Sequence, residues 1–249
     1  PAIIVQPATT RDVCAVVKLA KKHALRVVIA GGRHGHDCLA DGALCIDLSR
    51  MRKVDVDAYN RTVTVEGGCK LGDMDKACQP FGLAAVTGTN PDTGVVGLST
   101  AGGAGYLSRL YGMAVDNMVG AEVVLASGEA VFATKENAHR ELLWGVAGGG
   151  SNFGLITKLT MKLHPVDQVF GGMVINVAPS VKLAKTVITE WRNWILDAPR
   201  SVNSMAVLRS GAPVVPMALV ELDQISVPQA PEAKCAISTL PNLKGALDG

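Results

Sequence analysis

Aromatic residues are scarce in this chain, at 4% of 249 residues, and charged residues of both signs make up only 18%. So few rings are sparse material for an aromatic-walled pocket. A net charge of +2, with no basic run and no aromatic platform, gives no grounds for a nucleic-acid partner. No stretch approaches the roughly 18 consecutive apolar residues of a membrane helix, which predicts a soluble protein without a membrane span. The six cysteines, Cys14, Cys38, Cys45, Cys69, Cys78 and Cys235, form neither a CxxC pair nor a zinc pattern. Reduced, packed thiols are expected, in keeping with an intracellular or organellar setting. His139 and His164 lack metal spacing and read as structural; no metal is expected. No GxxxxGK[ST] motif occurs, which excludes a P-loop. Pro1 is not an initiator residue, so the N-terminus reads as processed or truncated.

A hydrophobic content of 48% excludes a disordered chain, and the length suits two domains or one large one. Thr9 and Asp12 frame a capping box, with Val13, Val16, Val17 and Ala20 following at helical spacing. The β-branched run from Arg26 to Ala30 ends at Gly31, and strands are expected over residues 43–48 and 62–66. Leu71 to Cys78 suits a short helix, and Ala121 to Phe132 a hairpin turning at Ser127-Gly128. Leu155 to Leu163 alternates as a strand. Further on, a strand (Gly172–Val177), a helix (Ser180–Leu196) and two strands (Val202–Leu208, Val214–Leu222) are expected. Pro228, Pro231 and Pro241 then break the pattern.

Four glycine-rich punctuations carry the functional signal. They are Gly31-Gly32-Arg33-His34-Gly35-His36, the run from Thr87 to Gly94, the run from Gly97 to Gly105, and Gly148 to Gly154. Glycine lets backbone N–H groups turn toward one point and lets a ligand approach without a Cβ between. One such loop is an ordinary turn; four favour an elongated dinucleotide. A Rossmann fold is excluded, because no glycine fingerprint stands between a strand and a helix. An α+β domain holding its cofactor by scattered loops remains.

Order and spacing over roughly residues 1–165, with one short deletion, resemble the FAD-linked oxidases of the vanillyl-alcohol-oxidase superfamily, in the berberine-bridge-enzyme-like branch. The carriers include Gly31-Gly32-Arg33-His34, Ile46-Asp47-Leu48-Ser49-Arg50-Met51, Val65-Glu66-Gly67-Gly68 and Phe81-Gly82-Leu83. Thr93-Gly94-Val95-Val96-Gly97-Leu98, Gly102-Gly103-Ala104-Gly105, Tyr111-Gly112, Asp116-Asn117-Met118-Val119 and Phe153-Gly154-Leu155-Ile156-Thr157 complete the match. The resemblance implies an FAD-binding domain of the PCMH type, two small α/β subdomains over residues 1–165. Residues 166–249 would then be the first half of an antiparallel-sheet substrate domain, truncated before its end.

In that family the first glycine loop binds the FAD pyrophosphate and a histidine just after it bonds covalently to the isoalloxazine. His34 is the better match and His36 its rival; the alternative is that both are loop histidines and FAD is bound without a covalent link. Two departures stand out: Ala30 replaces a common arginine, and Arg33 replaces a common glycine. Arg33 would either supply positive charge to the phosphates or crowd the loop. Asn90 occupies the position of the cysteine that doubly linked relatives use, so a second bond is not expected. Gly88, Thr89, Thr93, Gly94, Gly97, Leu98, Gly102, Gly103, Gly105 and Gly154 match cofactor-binding positions. A helix N-terminus is expected near Leu98, close to the anion. Asp116-Asn117 would lie along the cofactor or serve as loop hydrogen-bonding residues, and Ile156 would offer backbone to the adenine half.

The resemblance further implies oxidation of a small alcohol, sugar or amine, with hydride passing to flavin N5 and dioxygen or another acceptor restoring the flavin. No catalytic base is identifiable: Tyr59, Tyr106 and Tyr111, the chain's tyrosines, all fall in the FAD half. The alternative is a flavin-binding or degenerate non-catalytic subunit of a larger protein assembly.

Overall fold

Hydrophobic periodicity places most of the elements where they are found. The computed structural model of the chain describes residues 1–35, 38–166, 168–178, 180–210 and 218–226, and it divides into two compact units, Pro1–Asp167 and Gln168–Gly249.

The first unit begins with β1 (Ile3–Val5), α1 (Thr10–Lys22), β2 (Val27–Ala30) and β3 (Leu44–Asp47). The strands form a parallel sheet in the order β1-β3-β2, and all four residues of β3 are buried. Thr9 starts α1 with the expected capping box: its hydroxyl accepts from the Asp12 N–H at 3.2 Å, and the Asp12 carboxylate accepts from the Thr9 N–H at 2.9 Å. Such a cap is worth about 1 kcal/mol. Val13 on α1 packs with Leu44, Ile46, Leu48 and Met51 in one buried cluster.

Then come β4 (Val54–Asp57), β5 (Thr62–Glu66), α2 (Leu71–Cys78), β6 (Leu83–Ala85), α3 (Val95–Thr100), α4 (Ser108–Tyr111), β7 (Met118–Val124), β8 (Ala130–Thr134), α5 (Arg140–Gly149) and β9 (Leu155–Pro165). The strands make an antiparallel sheet ordered β4-β5-β9-β7-β8, with β6 also paired to β9. Leu71, Met74 and Cys78 of α2, Val95 and Val96 of α3, and Leu143 and Val146 of α5 are buried with Val63, Val123, Leu159 and Met161 of the sheet. The fold is thus α+β, with one small parallel and one larger antiparallel layer.

One expectation about a helix is corrected. The helix near Leu98 begins earlier, with Gly94 at its N-cap, and is over by Ala101. The Gly102–Gly105 stretch follows this helix. Gly102 and Gly103 stand at φ +117° and +69°, backbone angles that a right-handed helix cannot continue through.

The second unit contains β10 (Phe170–Ala178), α6 (Val181–Asp197), β11 (Val202–Ser210) and β12 (Ala218–Ser226), with the strands antiparallel in the order β10-β12-β11. Ser180 caps α6 by accepting from the Leu183 N–H, and Trp191 Nε1 donates to Ser204 Oγ at 3.0 Å, tying α6 to β11. Positions 214–217 of the expected last strand, the proline-rich tail and Cys235 lie outside the described residues. Cys14, Cys38, Cys45, Cys69 and Cys78 are free thiols. Among the described residues no helix is long and apolar enough to cross a membrane.

Candidate cofactor site

Stretches from three distant parts of the sequence border one cleft of about 800 Å³ in the first unit. They are Gly31–Gly35 after β2, Thr93, Gly94 and Val96–Leu98 with Ala101 and Gly103 around α3, and Ser151-Asn152 after α5 with Ile156 on β9. The volume is in the range of about 300–1,000 Å³ typical of small-molecule and cofactor sites. A bulge between Glu122/Val123 on β7 and the facing Lys158/Ile156 of β9 falls beside this wall. Such bulges change where the neighbouring backbone points.

The glycines bordering the cleft serve two different needs. A Cβ on Gly32 would stand 2.2 Å from the Gly94 nitrogen, and one on Gly94 would stand 2.6 Å from the Gly32 nitrogen. These two loops therefore press backbone against backbone, and both positions are closed to any side chain. Gly97 is the opposite case. A Cβ there meets nothing within 4 Å, although the residue borders the cleft and sits inside a helix, where alanine is favoured by about 1 kcal/mol. Packing among the described residues gives no reason for that glycine.

His34 is exposed at the cleft, with Nε2 3.4 Å from Asn90 Nδ2, so the amide can donate to an unprotonated Nε2. The structure thereby brings together the two positions that the family resemblance connects with flavin attachment. His36 lies outside the described residues.

Arg33 stands at φ +57°, a conformation that costs a non-glycine residue of order 1 kcal/mol or more. Its Nη2 pairs with Asp47 Oδ2 at 2.5 Å, and Asp47 also accepts from Gln6 Nε2 at 2.8 Å and from the Ser49 N–H at 3.1 Å. Burial would push the Asp47 carboxyl up, but the hydrogen bonds from Arg33, Gln6 and Ser49 outweigh it and hold the group below its ordinary value. The charge of Arg33 is thus already matched by an acid. Asp47 and Gln6 escaped sequence reasoning; the one available signal was an acid closing a wholly apolar strand.

Several other candidates are engaged within the protein. A Cβ on Gly105 would lie 2.0 Å from the Thr87 carbonyl oxygen, on Gly88 2.5 Å from Leu98 Cδ1, and on Gly154 2.6 Å from Val123 Cγ1. A Cβ on Gly102 would stand 3.1 Å from Met113 Cε. Asp116 accepts from the Met113 N–H at 2.8 Å. Asn117 is buried, donating to the Tyr111 and Met113 carbonyls at 3.0 and 2.8 Å while its Oδ1 faces His164 Nε2 at 2.8 Å. Tyr111 stacks on the His164 ring with centroids 3.8 Å apart. Burial, then the nearby Lys162 charge, lower the His164 pKa, which favours a neutral ring. Thr89 is exposed on the same loop as Asn90, outside the cleft lining.

An extended dianionic ligand fits these features. The N–H groups of Gly32, Arg33 and His34 have no protein acceptor among the described residues, and they stand on the loop that borders the cleft. Backbone donors of this kind bind phosphate oxygens without a dedicated lysine. Leu48, Val96, Leu98 and Ile156 add apolar wall for a planar ring system.

Comparison with known proteins agrees with this geometry. Residues 1–134 match the FAD binding domain family. An FAD-linked oxidoreductase of Dictyostelium discoideum is 36% identical over 219 residues, 88% of this chain and 48% of that protein. The (R)-6-hydroxynicotine oxidase of Paenarthrobacter nicotinovorans is 34% identical over 208 residues, 83% of this chain and 44% of that one. Among solved structures, 6-hydroxy-D-nicotine oxidase from Arthrobacter nicotinovorans superimposes with a TM-score of 0.89 at 27% identity, covering 96% of this chain and 52% of the other. Xylooligosaccharide oxidase from Myceliophthora thermophila gives 0.82 at 29% identity, covering 100% and 52%. The chain spans about half the length of the curated relatives it matches. It belongs to the FAD-linked oxidoreductases of the vanillyl-alcohol-oxidase and berberine-bridge-enzyme-like superfamily, with an FAD-binding domain of the PCMH type.

Proposed function

We propose that this chain carries the flavin-holding portion of an oxidase or dehydrogenase acting on a small alcohol, sugar or amine. The relatives named for hydroxynicotine and for xylooligosaccharide support that substrate range. When bound, FAD supplies the redox chemistry, accepting a hydride from substrate and passing electrons to dioxygen or another acceptor.

The residues of this chain hold and orient the cofactor. The N–H groups of Gly32, Arg33 and His34 would hold the pyrophosphate, and the bare backbone of Gly97 would let the ligand lie close to α3. His34 is the proposed covalent attachment point, with Asn90 ordering its ring. Residues 1–165 form the FAD-binding domain, and residues 166–249 form part of a substrate domain. The observation that carries this reading is the Gly97 position, where a helix leaves its backbone uncovered at the cleft although nothing among the described residues fills the space.

Acid precipitation of the full-length protein tests it. The expected result is a yellow pellet, with slow substrate-dependent bleaching of the native protein by a panel of amines, alcohols and oligosaccharides. A colourless protein that takes up no added FAD would overturn the reading and favour a structural subunit.

A further inference from the structure

We propose that Arg33 and Asp47 are positioning residues for His34: their ion pair holds the turn that presents the imidazole to the cleft, in place of a glycine. The proposal rests on the reading of His34 as the flavin-facing imidazole.

The argument begins with the backbone. At φ +57° Arg33 is in the left-handed region, which an L residue keeps only when its surroundings impose it. The imposing contact is the pair to Asp47, whose side chain is 5% exposed while that of Arg33 is 48% exposed. Asp47 is itself immobilised at the end of β3, where Gln6 Nε2 and the Ser49 N–H also donate to it. The loop is therefore pinned twice in succession: Gly32 by backbone contact with Gly94, and Arg33 by its side chain to Asp47. His34 is the next residue, and its direction follows from these two points. Its ring arrives 3.4 Å from Asn90. Hydrogen bonding holds the Asp47 carboxyl below its ordinary value despite burial, so the pair stays charged at neutral pH.

The arrangement makes a specific genetic prediction. Arg33→Ala removes the pair but keeps a side chain that resists the left-handed angle. Arg33→Gly also removes the pair, yet adopts that angle without cost. Removing the partner by Asp47→Asn should thus be harmful with Arg33 present and largely rescued by Arg33→Gly.

Cross-linking reads the loop without needing flavin. In the full-length chain carrying Cys38→Ser, His34→Cys and Asn90→Cys, mild oxidation should join positions 34 and 90, measured by peptide mapping. Adding Arg33→Ala or Asp47→Asn should slow that cross-link about five-fold or more, and Arg33→Gly together with Asp47→Asn should restore it. In the protein without cysteine changes, the fraction of flavin retained by the acid pellet should fall and recover in the same order. An unchanged cross-linking rate in Arg33→Ala overturns the proposal, as does failure of Arg33→Gly to rescue Asp47→Asn. If Asp47→Asn does not fold, Arg33→Ala against Arg33→Gly makes the same comparison. Normal cross-linking effects in a protein that never retains flavin would sink the FAD reading and leave the positioning pair standing.

Discussion

Asn90 Nδ2 stands 3.4 Å from His34 Nε2 although 56 positions separate them in sequence. They meet because the loop after β2 and the loop before α3 are locked at Gly32 and Gly94. This contact beside the cleft is the geometry on which the proposed role of His34 rests.

His34→Ala should release the cofactor. After acid precipitation the flavin absorbance is expected in the supernatant, where the unaltered protein keeps it in the pellet. Retention in the pellet by the variant would remove His34 from the attachment role.

Gly97→Ala and Gly32→Ala should fail in opposite ways. The first adds a methyl group to open space within a helix, so stability is expected to hold or rise by up to about 1 kcal/mol while FAD affinity drops. The second drives a Cβ to 2.2 Å from the Gly94 nitrogen, so the fold itself weakens by about 1–3 kcal/mol. Thermal melting and FAD titration of both proteins check the contrast; weakened melting in Gly97→Ala would show that packing, not ligand, requires this glycine.

Glu122 should give stability a dependence on acid. Thr10 Oγ1 and Thr157 Oγ1 donate to Oε1 at 2.5 and 2.7 Å, and Lys158 Nζ lies 3.2 Å from Oε2, joining α1, β7 and β9. Burial raises the carboxyl, but these partners outweigh it and leave the pKa below its ordinary value. The contribution is therefore complete above about pH 4.3 and lost as pH falls through the lower folded-state value. Glu122→Gln should be less stable at pH 7 by about 1–3 kcal/mol and should show a flatter decline on acidification, measured by urea unfolding across pH.

Asn117→Ala should destabilise the first unit without altering the cleft lining. The change leaves His164 Nε2 and the Tyr111 carbonyl without the partner that Asn117 supplies, and the Met113 carbonyl with only the Asp116 N–H, at about 1–3 kcal/mol. A melting midpoint within error of the unaltered protein would refute the structural assignment of this side chain.

Much of the architecture was legible locally. The Thr9–Asp12 box, the Leu71–Cys78 helix and the 121–132 hairpin depend on neighbours a few positions away, and all are found where expected. The helix near Leu98 was misplaced because its start depends on tertiary contacts: the Val95 N–H donates to the Cys69 carbonyl, and Gly94 abuts Gly32. The pairing of Arg33 with Asp47 is not legible in the sequence. They stand fourteen positions apart, and nothing in the glycine spacing points to the acid.

The sequence by itself determined the succession of strands and helices, the family and the loop that carries His34, since periodicity, capping and motif order are properties of contiguous residues. Only the tertiary structure decided which glycines face a ligand and which face another backbone, and which polar side chains already have partners. Those distinctions turn on the atoms within 4 Å of a residue, and folding brings most of them from distant parts of the chain.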